Sequence, residues 1–125
     1  MEYQCLQSFL KHLDSIGELK RVKTPVSPLL EITRYRQEEA VAASPRASTD
    51  APSFDMGREG LGGQALLFEE VVGSDFPLAI NVFGSYFRME QALCCDGFEE
   101  IAKMIGAMTT PEPPSGLSDL IAMAK

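Results

Sequence analysis

The side chains that could do acid–base chemistry are few and scattered in this sequence of 125 residues. The single histidine, His12, borders an apolar helical stripe, where a half-buried or surface histidine is commoner than a ligand or a base. The acidic pairs are consecutive, so their side chains diverge on a strand and stand about 100° apart on a helix. None is therefore an acid–base dyad by itself; the pairs are Glu38–Glu39, Glu69–Glu70 and Glu99–Glu100.

Three cysteines, Cys5, Cys94 and Cys95, form an odd set without C-x-x-C spacing. Adjacent cysteines rarely form a disulfide, because the bond would strain the peptide between them. Reduced thiols are typical of an intracellular protein, so the sequence predicts a cytoplasmic location.

Anionic ligands are disfavoured by the charge and by the glycine pattern. The formal net charge is −7, so the average field repels phosphate, and nucleic acid is not an expected partner. The basic residues Lys20, Arg21 and Lys23 are interpreted as a solvated face. GREGLGG at 57–63 precedes a predicted strand instead of following one and opening a helix, so the context of a nucleotide site is missing.

The composition is that of one folded domain. Hydrophobic residues make up 45% and charged residues 23%, and a chain of this length can bury a single core. No apolar run approaches the length of a membrane helix, and the N-terminus lacks the continuous apolar stretch of a secretory signal. We therefore expect a soluble protein.

Apolar spacing and turn residues predict helices alternating with short strands. Gly17 fits the left-handed end of the first helix, and Ser27 with Pro28 resembles the start of the second, in which Arg34 and Glu38 lie four residues apart. The predicted elements are a helix over 2–16, an edge strand within 18–26, a helix over 28–42, a loop over 43–63, a central strand pair at 65–71 and 77–84, and a helix over 86–94.

A further helix is predicted after Asp96, with a capping box between Asp96 and Glu99. Its predicted buried stripe comprises Phe98, Ile101, Ala102, Ile105 and Met108. A proline-rich link at 109–116 and the start of one more amphipathic helix follow. The fold class predicted from these elements is α/β, with a small mixed sheet of three to four strands flanked by helices.

The order of these pieces resembles the N-terminal domain of the UbiD family of decarboxylases. The similar blocks are LQSFLKHLDSIGELKRVKTPV at 6–26, PLLEIT at 28–33, QALLFEEVVGSDFPLAINVFGSYFRM at 64–89 and PEPPSGLSDL at 111–120. The third block is similar to the family's A-L-L-F-E-x-x-x-G-S-x-x-P-x-x-x-N-x-F-G-[ST] signature followed by an arginine. Residues 44–61 depart from the family, because the turn before A-L-L-F is usually short.

The resemblance implies a domain at 1–110, with 43–63 as a long loop insertion, and a link at 111–125 that leads to a flavin-binding split-barrel domain. It implies that the parent is a homo-oligomeric lyase for reversible, non-oxidative decarboxylation of aromatic or α,β-unsaturated acids. Prenylated FMN would carry the substrate, and manganese with potassium would hold the flavin phosphate. The family's catalytic, flavin-binding and metal-binding residues lie in the split-barrel domain, so none is assigned to this chain. The alternative is a non-catalytic accessory or binding subunit of a multi-subunit carboxylase.

Three residues of the third block are the positions at which we expect turn bracing or a domain interface: Asn81, Gly84 and Arg88. Asn81 lies late in a predicted buried strand, so its amide needs hydrogen-bond partners. It either braces the turn at 83–85 or contacts substrate or cofactor. Arg88 either caps a helix locally or reaches across a domain interface.

Overall fold

A computed structural model describes residues 3–48, 57–58 and 60–110 of the chain. Within these residues the elements are α1 (Leu6–Ser15), β1 (Leu19–Val22), α2 (Glu31–Val41), β2 (Ala65–Phe68), β3 (Leu78–Ile80), α3 (Tyr86–Leu93) and α4 (Phe98–Thr109). The predicted link at 111–125 and the middle of the predicted loop lie outside the described residues. None of the helices in the described ranges is long and apolar enough to cross a membrane.

The described strands form one mixed sheet in the order β1-β2-β3. β1 pairs with β2 in parallel, with Leu19 opposite Ala65, and β2 pairs with β3 antiparallel, with Leu66 opposite Ile80. The predicted fold class, a small mixed α/β sheet, is therefore confirmed, and β1 is an edge strand as predicted.

Successive side chains of β2 enter two separate cores, because side chains alternate across a strand. Ala65 packs with Phe9 and Leu13 of α1, whereas Leu66 and Phe68 pack on the opposite face. That second core is partly covered by Ile32 and Tyr35 of α2, and the Tyr35 ring meets Phe68 edge-on at 5.3 Å. β2 is thus buried on both faces.

The prediction that β2 and β3 together form the buried centre of the sheet is wrong for β3. This strand lies at the opposite edge from β1, and Leu78 is 37% exposed. β3 also ends at Ile80, so Asn81 follows the strand with a left-handed backbone (φ +56°) instead of lying within it. A continuous apolar run of this length does not distinguish a central strand from an edge strand.

The start of α2 also differs from the prediction. The Ser27 hydroxyl accepts a hydrogen bond from the Leu29 N–H at 3.3 Å, and the Glu31 carboxylate accepts one from the Ser27 N–H at 2.8 Å. These bonds build a turn, and the helix begins only after Leu30, whose φ is +59°. The predicted Arg34–Glu38 pair is confirmed, with 3.0 Å between the guanidinium and the carboxylate.

Helix α1 follows the prediction closely at its end and less closely at its start. Gly17 adopts a positive φ of 80°, as expected for the residue that closes a helix. Phe9 and Leu13 are buried, whereas Leu6 in the first turn is 53% exposed. The helix begins at Leu6, with Cys5 and Ser8 bonded to each other around its first turn.

Helix α4 forms as predicted, but its capping box and buried stripe are wrong. Gly97 occupies the N-cap position without a side-chain cap, and the Glu100 carboxylate, instead of Glu99, faces the Asp96 N–H at 3.4 Å. None of its residues is buried, and Ile105 and Met108 are 55% and 78% exposed. Amphipathic spacing identified an apolar face correctly, but the described residues cover only its start, where Phe98 meets the Tyr86 ring.

Candidate functional site

The most concentrated polar cluster of the described residues surrounds Arg88. Helix α3 begins after Ser85, whose hydroxyl accepts the Arg88 N–H at 3.3 Å and so caps the first turn. From this turn the Arg88 side chain enters the interior, where it is completely buried, as is Glu18 just before β1. We call Arg88, Glu18 and Asn81 the Arg88 network.

The guanidinium of Arg88 donates hydrogen bonds to one carboxylate and three backbone carbonyls. Nη1 donates to Glu18 Oε2 at 2.9 Å and to the Gly63 carbonyl at 2.6 Å. Nη2 donates to the carbonyls of Gly62 at 2.8 Å and Asn81 at 3.2 Å. One side chain therefore joins the start of β1, the turn before β2, and the turn after β3.

Asn81 completes the network from the end of β3. Its Nδ2 donates to the carbonyls of Gly62 and Gln64, both at 2.8 Å. The amides on the other side of this turn are also bonded, because Gly62 and Gly63 donate to the Ala42 carbonyl. The Gln64 N–H donates to Glu39 Oε2 at 2.8 Å. Residues 62–64, which we call the glycine turn, are thus bonded by the side chains of Asn81, Arg88 and Glu39 and by the Ala42 carbonyl.

Close approach explains why three positions around the turn are glycine. A Cβ at Gly84 would overlap the Asn81 side-chain amide, and one at Gly62 would overlap the Gly84 carbonyl. Gly63 has a left-handed φ of 49°, and a Cβ there would overlap Glu39. The structure thus brings two of the three sequence-predicted residues, Asn81 and Gly84, into direct contact, and Arg88 bonds to the Asn81 backbone.

The electrostatics of the network are those of a buried ion pair. Burial lowers the pKa of Arg88, and its hydrogen bond to Glu18 opposes that shift. A guanidinium remains charged even so, and Glu18 supplies the matching negative charge. Glu18 Oε1 and Arg88 Nε have no hydrogen-bond partner among the described residues. With its Nη donors engaged internally, the guanidinium does not present a free binding face.

The cleft beside the glycine turn is too small for a flavin. It measures about 190 Å³ and is lined by residues that include Arg58, Gly62, Gly84 and Tyr86. Sites for drug-sized ligands usually enclose about 300–1,000 Å³. The described residues contain no group of three or more metal-ligating side chains. This cleft by itself therefore does not enclose a flavin, and the described residues do not by themselves form a metal site.

Of the other residues considered for chemistry, Glu39 bonds the glycine turn, whereas His12, Glu69 and the cysteines make their contacts elsewhere. His12 is half-buried and its Nε2 lies 3.0 Å from Gln91 Oε1. Glu69 pairs with Arg21, which also binds Asp14, so this part of the basic face is internally neutralised. The three cysteines form no disulfide.

Sequence reasoning missed Glu18 and the glycine turn as parts of the site. The sequence pattern indicates only that Glu18 begins an edge strand. It indicates only that the glycines lack the context of a nucleotide site. A local signal existed, because two consecutive glycines directly before a buried strand indicate close backbone approach. No local signal connects Glu18 with a residue 70 positions away.

Comparison with known proteins gave a family and a set of similar structures. The family model of the 3-octaprenyl-4-hydroxybenzoate carboxy-lyase N-terminal domain matches residues 10–108. Two structures of vanillic acid decarboxylase from Sedimentibacter hydroxybenzoicus, both in the open form and one with truncated ShVdcD, are similar to the chain. Each has a TM-score of 0.56 and 26% identity over 77% of this chain. The match spans only 17% of the length of either decarboxylase chain.

Proposed function

The chain belongs to the family of 3-octaprenyl-4-hydroxybenzoate carboxy-lyase N-terminal domains, and on this premise we propose that it is the structural N-terminal domain of a UbiD-type decarboxylase. The parent enzyme carries out reversible, non-oxidative decarboxylation of an aromatic or α,β-unsaturated acid. The similarity to a vanillic acid decarboxylase supports an aromatic acid as the substrate class.

The observation that carries the structural role is the internal use of the Arg88 network. Arg88 is wholly buried and bonded to Glu18 and to backbone carbonyls, so its guanidinium is not available to a carboxylate substrate. Asn81 donates both amide hydrogens to the glycine turn. These side chains stabilise the junction of β1, β2 and α3, and they leave proton transfer to groups outside this segment.

The cofactor of the parent is prenylated FMN, with manganese and potassium at its phosphate, held by a downstream flavin-binding split-barrel domain or subunit. When bound, the flavin supplies the electron sink for loss of carbon dioxide. The present chain contributes packing and orientation, and the described residues supply no ligand to the cofactor. We infer that the parent is a homo-oligomer, and we place it in the cytoplasm, where cysteine thiols are kept reduced.

A flavin-retention assay tests whether cofactor binding needs the downstream domain or subunit. The 125-residue chain, mixed with prenylated FMN and manganese and then desalted, is expected to show no flavin absorbance. A chain extended by the rest of its reading frame is the matched control and should retain the band. Flavin retained by the short chain, or turnover of a carboxylic acid by it, contradicts the proposal.

A second candidate function is that of a separate accessory subunit in a multi-subunit carboxylase. It is supported by the similar vanillic acid decarboxylase ShVdcCD, which includes a distinct ShVdcD component. The DNA after codon 125 discriminates the two functions. An in-frame split-barrel region supports the N-terminal domain, whereas a stop codon with a separate gene for the remainder supports the subunit.

A further inference from the structure

The described part of the long loop is fixed to the domain in two separate places. Where the loop leaves α2 and returns towards β2, Ala43 and Leu61 form an antiparallel bridge, and the Ser44 N–H donates to the Gly60 carbonyl at 2.8 Å. We call these four residues the neck of the loop. The next described residues, 45–48, we call the strap. The neck is closed by backbone hydrogen bonds that do not involve the strap.

The strap contacts two helices through Arg46. Its Nη2 donates to the Ile16 carbonyl at the C-terminal end of α1, at 3.4 Å, where the helix dipole favours a cation. The guanidinium also lies over the Phe87 ring of α3, 5.6 Å from the ring centroid, within the usual range of a cation–π contact. One side chain of the strap therefore joins α1 to α3.

The most buried contact of the strap is made by Ser48. Its hydroxyl donates to Glu90 Oε1 of α3, and the two residues are only 6% and 5% exposed. Residues 45–47, in contrast, are exposed. The strap is therefore held to α3 at one buried point, and the rest of it buries little surface.

The distribution of these contacts separates the strap from the rest of the domain. The two hydrophobic cores of the described residues contain no residue of the strap. Detachment would break the Ser48–Glu90 bond and the Arg46 contacts but would leave the cores, the neck and the Arg88 network in place. Segments with few buried contacts open locally at a lower free energy than global unfolding requires.

We propose that the strap opens and closes over α3 as a local unit, with the neck as its base and the Ser48–Glu90 bond as its catch. In the closed state Ala47 forms one wall of a cleft of about 210 Å³ that also contains Phe87 and Gln91. Opening removes this wall and uncovers the Phe87 ring while the rest of the domain stays folded. The long loop is then a conformational device of this chain.

Native-state proteolysis of the 125-residue chain tests this proposal. Trypsin cleaves after Arg46 once the strap leaves α3, whereas cleavage after the fully buried Arg88 requires global unfolding. An Arg58→Gln background removes the neighbouring tryptic site in the loop. In this background Ser48→Ala should speed cleavage after Arg46 about 10-fold, because the open strap loses no bond that the variant lacks.

Val26→Ala is the matched control, because Val26 lies in the core beneath α2 and is 1% exposed. The open and closed states of the strap both keep this core, so cleavage after Arg46 should change less than about 2-fold. Cleavage after Arg88 should rise several-fold as global unfolding becomes easier. If both sites respond to Val26→Ala in parallel, the strap opens only with the whole domain, and the proposal is overturned.

Urea gives the same distinction without a core variant. In the Arg58→Gln chain, cleavage after Arg46 should change less than about 2-fold up to 1 M urea, because local opening exposes little surface. Cleavage after Arg88 should rise about 5-fold, with each rate divided by that of a peptide substrate in the same urea. An equal rise at both sites, or a folded Ser48→Ala variant cleaved after Arg46 at the unaltered rate, contradicts the proposal.

Discussion

The Arg88 guanidinium lies 2.9 Å from the Glu18 carboxylate, and both side chains are completely buried although the residues are 70 positions apart. Such a pair adds little to the free energy of unfolding compared with apolar side chains of the same shape. Removal of one partner, however, leaves a buried charge without a partner and is strongly destabilising. The other bonds of Arg88 go to the glycine turn and to Asn81. The pair therefore connects the sequence block at 6–26 with the block at 64–89.

Replacement of Arg88 by Met should destabilise the domain strongly. Glu18 would remain buried without its partner, and the expected loss in the free energy of unfolding is about 3–5 kcal/mol. Urea unfolding followed by circular dichroism measures it. Arg34→Ala, at an exposed pair with Glu38, is the matched control and should cost about 0.5 kcal/mol or less.

The double variant Glu18→Gln with Arg88→Met separates charge from packing. Removal of the unpaired carboxylate should recover part of the stability that Arg88→Met alone loses. This variant also provides a result if the single variant does not fold. An unchanged unfolding midpoint in Arg88→Met would show that the ion pair does not stabilise the chain.

Alanine at Gly84 should destabilise the turn before α3. The added Cβ would overlap the Asn81 amide, and relief of that overlap would move the donor to Gly62 and Gln64. Overpacking of this kind costs about 1–3 kcal/mol. Gly106→Ala in α4 is the control, since nothing lies near its added Cβ; it should stabilise by about 0.5–1 kcal/mol. Thermal unfolding of both variants checks the opposite signs.

Two replacements of Asn81 distinguish its hydrogen bonds from its backbone conformation. Asn81→Gly keeps the positive φ accessible but removes both amide bonds, and we expect a loss of about 1–3 kcal/mol. Asn81→Ala loses the same bonds and adds about 1–2 kcal/mol for a left-handed alanine. Denaturant midpoints should therefore fall in the order Asn, Gly, Ala. A glycine variant as stable as the wild type would exclude a stabilising role for the amide.

The exposed face of α4 should govern self-association more than stability. Met104 and Met108 are 57% and 78% exposed, so their joint replacement by Gln should change the free energy of unfolding by less than about 0.5 kcal/mol. Sedimentation at high concentration should show less association than in the wild type, because the apolar face is reduced. Phe68→Ala is the contrasting control and should lose about 3–5 kcal/mol. A strictly monomeric wild type contradicts this prediction.

Local patterns predicted much of the fold because they report interactions between residues close in the chain. The 3.6-residue spacing and Gly17 located α1, the i,i+4 spacing located the Arg34–Glu38 pair, and helical spacing from Tyr86 located α3. Local chemistry was less reliable at two helix starts. The Ser27 hydroxyl bonds a turn instead of capping α2, and the Asp96 N–H faces the Glu100 carboxylate instead of that of Glu99.

The sequence by itself determined the family and the alternation of helices and strands. Only the tertiary structure decided that β3 is an edge strand, that the apolar face of α4 lies exposed, and that Arg88 pairs with Glu18. Periodicity states which face of an element is apolar, but not which element covers it. Partners far apart in sequence are chosen by strand register and packing, and these exist only once the chain is folded.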